Sequence, residues 1–358
     1  MMINLKVDSK SIVENKKSTD NQRTKIDSME KRRTDRMRKV RWGVLGTADI
    51  ARGQTIPGMQ LAEHCELYAI AGRKMEKALK YQEEFGFQKA YGSYDELLAD
   101  PEVEAVYIPL PNDLHCEWTI RALKAKKHVL CEKPLAISEA QAEEMFRAAE
   151  ENGVLLMEAF AYLHSPSVKA VKAELDAGVI GEIRYLESAF LTGRRPDTDI
   201  RLRRETYGGS MYDLGCYCDS MALWMIGKEP DTVLATGYFS EKKIDLFTSA
   251  LLVYQNGAVA SLNCGMVLPD GRVDRLRIHG TKGEIVSPVE FNQCGEISYT
   301  IIRNGRSETK TVTAPNNYAL ETEQLSRCVL YGEKPHVTKA FSLLTARVTD
   351  RILQAIGY

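Results

Sequence analysis

His128-Val129-Leu130-Cys131-Glu132-Lys133-Pro134 is the stretch best equipped for chemistry. A short apolar run bounded by turn residues predicts a buried parallel strand. Pro134 stops it, because proline lacks a backbone donor and forces its predecessor into an extended conformation. Lys133 is thereby held at the carboxyl end of a strand, the edge where open α/β sheets bind ligands. An ammonium there can donate hydrogen bonds, stabilise an anion or, with a shifted pKa, exchange a proton. A solvated Glu-Lys turn would use the same residues, so the flanking chain has to decide.

Upstream, Lys39 to Gly46 followed by Thr47-Ala48-Asp49-Ile50-Ala51 reads as a strand, a Gly-x-Ala-x-x-Ala turn and a helix. The dinucleotide fingerprint needs a first glycine for the tight turn and a second so that backbone can approach a pyrophosphate. Its third position needs a small residue for helix–strand packing. Gly46 and Ala51 satisfy the outer positions and Ala48 replaces the middle glycine, a degraded match in the right context. A second strand follows at Leu67 to Gly72. An NAD enzyme places an acid at its end to hold the ribose 2′-hydroxyl, but this chain has Gly72-Arg73-Lys74. Glu66 has about the usual spacing yet stands at the strand's start. Two cations suit a 2′-phosphate, so NADP(H) is expected over NAD(H); the alternative is a solvated helix start.

The alternation continues with helix Met75 to Phe85, a short helix N-capped by Ser93, and strand Ala105 to Ile108. The turn Pro109-Leu110-Pro111-Asn112 leads to helix Leu114 to Lys126, with His115 at its head. After the lysine strand come helix Ser138 to Asn152, stopped by Gly153, and strand Val154 to Phe160. Strands separated by helices of about a dozen residues imply βαβ units and a parallel sheet. Beyond Phe160 the pattern changes to a helix (Ser167 to Ala177), a strand (Ile183 to Leu191) and a helix (Met211 to Ile226). From Thr232 to Thr313 successive strands are punctuated by Asn256-Gly257, Pro269-Asp270-Gly271, Thr281-Lys282-Gly283 and Asn304-Gly305. Helices near Ala319 to Leu330 and Lys339 to Ile356 end the chain. The expected architecture is α/β: residues 39–160 a dinucleotide-binding Rossmann domain, residues 161–358 an α+β domain with an open, mainly antiparallel sheet. The closing helices are free to pack back on the first domain.

Composition narrows the function classes. A chain of 358 residues with 44% apolar and 27% charged residues is an ordinary globular protein of two domains. A net charge of −1 leaves no electrostatic footprint for nucleic acid or an anionic membrane. No apolar stretch approaches the ~20 residues of a membrane helix. The eight cysteines form no CxxC pair and no metal-spaced cluster, which points to a reduced, cytoplasmic protein without a metal. Residues 1–38 are polar and aperiodic and read as a disordered extension, as an interaction arm, or as upstream of a true start at Met37.

Gly46-Thr47-Ala48-Asp49-Ile50-Ala51, Glu132-Lys133-Pro134 and Gly208-Gly209-Ser210-Met211-Tyr212-Asp213-Leu214-Gly215-Cys216-Tyr217 together resemble the glucose–fructose oxidoreductase/inositol dehydrogenase/rhizopine-catabolism (Gfo/Idh/MocA) family. The Pro111 to His115 turn and Met157-Glu158-Ala159-Phe160 fit the same pattern. The resemblance runs from about Val40 to the end. It implies nicotinamide-dependent oxidation or reduction of sugars, cyclitols or related polyols, and a homo-oligomer, dimer or tetramer, built on the open sheet. It implies cofactor contacts at Gly46, Thr47, Ala48, Asp49, Ile50, Arg73, Lys74, Pro109, Asn112, His115, Glu132 and Lys133.

By the same resemblance Lys133 touches the reacting oxygen, Asp213 binds substrate hydroxyls and supports the acid/base group, and Tyr217 stands where inositol dehydrogenases carry histidine. That tyrosine is similar to the glucose–fructose oxidoreductase, dihydrodiol/xylose dehydrogenase and deoxysugar 3-ketoreductase branches. Asp213 and Tyr217 are four apart on a helix and share a face, and a nearby lysine cation favours the phenolate. A core tyrosine bonded to an aspartate is the bland alternative. His164 is expected to line the substrate cleft; Arg194 and Arg195 either reach substrate or are solvated, and Cys216 and Cys218 are packing residues. Two other functions fit the resemblance: an NAD-dependent redox glycosidase, and a dinucleotide-binding sensor without catalysis.

Overall fold

The computed structural model describes residues 38–287 and 291–358; the expectations placed on residues 1–37 lie outside it. The first half is a six-stranded sheet of β1 (Val40–Leu45), β2 (Cys65–Ala71), β3 (Lys89–Tyr91), β4 (Ala105–Ile108), β5 (His128–Glu132) and β6 (Leu156–Ala159). Their spatial order is β3-β2-β1-β4-β5-β6 and every neighbouring pair is parallel. β4 and β6 are buried along their whole length, as strands covered on both faces must be. The crossovers carry α1 (Ile56–Leu61), α2 (Met75–Phe85), α3 (Tyr94–Ala99), α4 (Asn112–Lys124) and α5 (Glu139–Asn152). Ser93 and Ser138 cap α3 and α5 by accepting from the Glu96 and Gln141 amides.

Strand order reverses between β1 and β4, the switch point at which doubly wound sheets open a ligand crevice. Gly46 ends β1 there with φ +124°, a conformation that side chains rarely adopt, and an added Cβ would meet Leu110 Cδ2 at 3.1 Å. Lys133 follows β5 on the same edge.

The second half is an eight-stranded sheet: β7 (Ile183–Gly193), β8 (Thr232–Phe239), β9 (Asp245–Val253), β10 (Val259–Leu268), β11 (Arg272–Gly280), β12 (Glu284–Ser287), β13 (Gly295–Arg303) and β14 (Arg306–Ala314). Its order is β14-β13-β12-β11-β7-β10-β9-β8. All pairs are antiparallel except β7 with β10, because β7 inserts into the middle of the later strands. One face packs on α6 (Pro166–Asp176) and α7 (Cys216–Ile226). The other presents Leu234, Tyr238 and Leu251 to solvent.

The sequence predicts one regular helix from Met211 to Ile226. The structure instead opens it with a wide π-helical turn, Met211–Gly215, before α7 begins. The turn is fixed from outside: the buried Asp245 carboxylate accepts from Ser210 Oγ at 2.7 Å and from the Met211 amide at 2.8 Å.

The last two helices, α8 (Asn317–Tyr331) and α9 (Lys339–Ile356), return to the parallel sheet. Trp42 Nε1 on β1 donates to Ser326 Oγ on α8 at 3.0 Å, and α1 packs on α8 at Gly58. α9 lies across α5 and β8, where Asp350 accepts from the Glu139 amide at 2.8 Å. Residues 40–358 form one compact unit through these contacts.

Candidate active site

Three expected residues meet at the carboxyl edge of β5. Lys133 Nζ donates to the Asp213 main-chain carbonyl at 2.8 Å and lies 3.4 Å from Asp213 Oδ1. The same ammonium sits 4.6 Å from the centre of the Tyr217 ring. Both partners come from the π-helical turn and the first turn of α7, so Asp213 and Tyr217 face the lysine together. The Lys133-Pro134 peptide bond is cis.

The lysine loop is fixed from beneath. Glu132 accepts from Tyr107 OH at 2.5 Å, and Tyr107 accepts from Thr55 Oγ1 at 2.9 Å. Glu132 Oε2 also accepts from the Lys133 amide at 3.2 Å, and Glu158 Oε1 from the Leu135 amide at 2.8 Å. Burial pushes both carboxyls up, Glu158 to about 7. Glu158 is therefore a buried strut for the turn after the lysine.

Asp213 behaves oppositely. Although burial opposes its charge, Lys133, Arg201 and Arg195 hold its carboxyl below the usual carboxylate range. Arg201 Nε lies 2.8 Å from Oδ2 and an Arg195 terminal nitrogen 3.8 Å from it. For Arg195 the sequence leaves open a substrate contact or a solvated loop. Arg201 was not expected, because one arginine in a loop of many carries no sequence signal.

One electrostatic expectation is corrected. Lysine was to favour the Tyr217 phenolate, but the ammonium faces the ring rather than the hydroxyl. Burial first, then Glu132, Cys216 and Asp213, push the Tyr217 phenol well above its ordinary value, against a smaller opposing effect of the Asn292 side chain. Phe160, Tyr162, Phe190 and Phe291 surround the ring. Tyr217 keeps its proton at neutral pH.

The cofactor residues divide. Gly46, Thr47, Ala48, Asp49 and Ile50 form the turn and helix start at the switch point, with Pro109 across from them at the end of β4. Arg73 and Lys74 are exposed beyond the end of β2, and among the described residues no hydrogen bond or ion pair engages either side chain. Glu66 lies at the opposite end of β2, opposite Arg41, where no ribose held at the crevice reaches. A tight glycine turn at the switch point, with two exposed cations beyond the end of β2, fits a nicotinamide dinucleotide.

His115, expected among the cofactor contacts, has both ring nitrogens on protein carbonyls: Pro134 at 2.8 Å and Leu110 at 2.7 Å. It clamps two site loops together. Asn112 is likewise engaged, donating to the Tyr207 carbonyl at 2.9 Å. His164, expected at the substrate cleft, has a histidine neighbour. It is buried beside His336, with ring centres 5.0 Å apart, and the charges acting on it are His336 and Lys169 rather than any of the lysine site. It ends the helical turn Ala161–His164, which packs on α8.

All eight cysteines are free, and Cys216 and Cys218 are buried packing residues. Folding brings Glu63, His64 and Glu323 together, a grouping invisible in the sequence. The two His64 nitrogens contact Glu323 at 2.6 Å and Tyr331 OH at 2.9 Å. Among the described residues no helix is long and apolar enough to cross a membrane.

A parallel sheet in this order, with a lysine–tyrosine–aspartate cluster at its carboxyl edge, defines a nicotinamide-type oxidoreductase. Residues 40–160 match the oxidoreductase family with an NAD-binding Rossmann fold, and residues 168–286 match the GFO/IDH/MocA C-terminal domain. The chain belongs to the Gfo/Idh/MocA oxidoreductase family. It is 37% identical to D-xylose 1-dehydrogenase (NADP(+)) 2 of Haloferax volcanii, over 88% of this chain and 96% of that one. It is 30% identical to trans-1,2-dihydrobenzene-1,2-diol dehydrogenase of Xenopus tropicalis, over 89% and 98%. A solved 3-ketoreductase from Actinomadura kijaniata, in complex with NADP and TDP-benzene, superimposes with a TM-score of 0.84 at 34% identity, covering 89% of this chain and 98% of that one.

Proposed function

We propose that the protein interconverts a hydroxyl and a carbonyl group on a sugar-related substrate, using NADP(H) in preference to NAD(H). The observation that carries this is the Lys133 ammonium at the sheet edge, packed on Tyr217 and held by Asp213. A nicotinamide dinucleotide in the crevice, against Gly46 to Ile50, Pro109 and Arg73-Lys74, would supply or accept the hydride. Lys133 has three N–H groups. Asp213 takes two, leaving one for the reacting oxygen, whose developing charge the ammonium stabilises. Tyr217, protonated, gives its proton to that oxygen during reduction and takes it back during oxidation. The aromatic wall around it excludes water. Asp213 meets substrate hydroxyls only at its rim, since its oxygens are occupied by three cations.

Relatives support the reading. The Haloferax enzyme is named for NADP(+) and the Actinomadura reductase was solved with NADP. That reductase was also solved as a tyrosine-to-phenylalanine and a lysine-to-alanine variant, at positions separated by the same number of residues as Tyr217 and Lys133. We read residues 39–160 as the cofactor domain and 161–358 as the substrate domain. The open sheet face is covered by a second copy of the chain.

The test is NADPH oxidation with a panel of aldoses, ketosugars and dicarbonyls. Lys133→Met and Tyr217→Phe should each lower turnover by about 10²–10⁴-fold while NADPH binding, followed by fluorescence, stays unchanged. Wild-type turnover in both variants removes the mechanism. No turnover across the panel in the wild type removes the enzyme reading in favour of a sensor.

A further inference from the structure

We propose that Arg201 is a positioning residue: it pins the Asp213 carboxylate so that Lys133 keeps one N–H free for the reacting oxygen. The proposal rests on the reading of Lys133 given above.

Arg201 is fixed at three points. Its amide donates to Asp199 Oδ1 at 2.9 Å, which opens the helical turn Ile200–Leu202. Its carbonyl accepts from the Gly209 amide at 2.8 Å, and its guanidinium Nε lies 2.8 Å from Asp213 Oδ2. The Gly209 carbonyl in turn accepts from the Asp213 amide at 3.1 Å. Two main-chain hydrogen bonds and one ion pair thus link Arg201, Gly209 and Asp213; the buried Nε makes no directed hydrogen bond, so Arg201 holds the carboxylate electrostatically. The pair of glycines makes this linkage fit. A Cβ at Gly208 would come within 2.3 Å of the Arg201 carbonyl oxygen, and Gly209 adopts φ +115° with Asp245 Oδ1 where its Cβ would lie.

The consequence is a division of labour over one carboxylate. Oδ2 belongs to Arg201, and Oδ1 is left 3.4 Å from Lys133 Nζ. The lysine's shorter bond goes to the Asp213 carbonyl, which cannot move with the carboxylate. The terminal torsion of aspartate is soft. Without Arg201, Lys133 becomes the strongest nearby partner of both oxygens, because Arg195 stands 3.8 Å from Oδ2. Asp213 would then turn onto the ammonium and take the hydrogen that the substrate oxygen needs.

The test is a double-mutant cycle of Arg201→Gln and Asp213→Asn, read by kcat, cofactor KM and the pH profile of kcat. Arg201→Gln should lower kcat by roughly tenfold or more, with NADPH KM unchanged, since only the reacting oxygen loses a partner. Residues acting through one another are not additive, so the double variant should be no worse than the worse single one. The acid limb of kcat should move to higher pH in Arg201→Gln, because Asp213 loses a stabilising cation and retains only Lys133 and Arg195. Guanidinium added to Arg201→Ala should restore part of the rate. Independent, multiplicative losses in the cycle with an unmoved acid limb would overturn the proposal. A change confined to substrate KM would also overturn it, making Arg201 a substrate contact. If Arg201→Gln folds poorly, Arg201→Met serves the same cycle, and Arg201→Lys, which keeps the cation, should retain more of kcat than either; equal losses in Arg201→Lys and Arg201→Met with an unmoved acid limb count against the proposal. Failure of the Lys133 reading would appear separately, as a fully active Lys133→Met.

Discussion

Charge at single atoms decides what this site does. Asp213 is kept ionised by three cations, whereas burial raises the carboxyls of Glu132, beside Lys133, and Glu158 on β6. Of the three, Asp213 is the carboxylate the lysine contacts directly. Arg73 has the opposite setting: it is exposed, and among the described residues no hydrogen bond or ion pair engages its side chain. Arg73→Ala should weaken NADP(H) binding by ~1.5–3 kcal/mol, the range for a hydrogen bond to a charged group. NAD(H), without a 2′-phosphate, should bind the variant as it binds the wild type. Titrating both cofactors into both proteins checks this, and equal losses for the two would reduce Arg73 and Lys74 to a solvated helix start. The strand end at Lys133 was legible because a proline stop acts locally, whereas Tyr217 was singled out by the family resemblance and its shared face with Asp213 by helix spacing. Arg201 and the burial of His164 beside His336 were not legible. They depend on where a loop of about a dozen residues and a short helical turn come to rest, and that is set by Gly208, Gly209 and α8.

At the scale of elements, the chain's periodicities placed nearly every strand and helix, since burial of alternate or every third to fourth residue is written directly in the sequence. Two features escaped. The π-helical turn at Met211–Gly215 depends on Asp245, a residue from a strand encountered later in the chain. β7 was legible as a strand but not as the centre of a sheet, because pairing partners are set by packing rather than by local pattern. The contact between α1 and α8 was likewise invisible, and it binds the two halves. There Gly58 lets α1 sit directly on Tyr318, where an added Cβ would lie 2.6 Å from Tyr318 Cβ and 2.8 Å from the Ala319 amide nitrogen. Since backbone cannot yield as a side-chain tip does, Gly58→Ala should destabilise the protein by ~1–3 kcal/mol, the cost of overpacking a well-filled contact. Gly86→Ala is not a fair control, because its positive φ adds strain of its own, whereas Gly53→Ala, open on all sides, is. Denaturant unfolding should separate the two alanines; equal stability would mean that α8 shifts freely on α1.

For the whole molecule the remaining question is the uncovered face of the eight-stranded sheet. Leu234 and Leu251 are directly opposed on β8 and β9, 56% and 40% exposed, and Tyr238 at the same end is 64% exposed. On the same face Arg275 pairs with Glu187 at 3.0 Å and Arg277 pairs with Glu284, so apolar and charged residues alternate across it. An apolar group of this kind rimmed by charge is how a sheet face reads when another surface covers it. A second copy bringing the same face would bury Leu234 and Leu251 against their counterparts in a two-fold, self-complementary contact. Leu234→Lys with Leu251→Lys would place like charges in apposition across that contact. The variant should therefore fall to the mass of one chain in light scattering where the wild type shows a multiple of it. Turnover per chain should persist, because the lysine site is built from residues of one chain. A wild type that scatters as a single chain at micromolar concentration would sink the assignment, leaving Leu234, Tyr238 and Leu251 as ordinary exposed apolar surface.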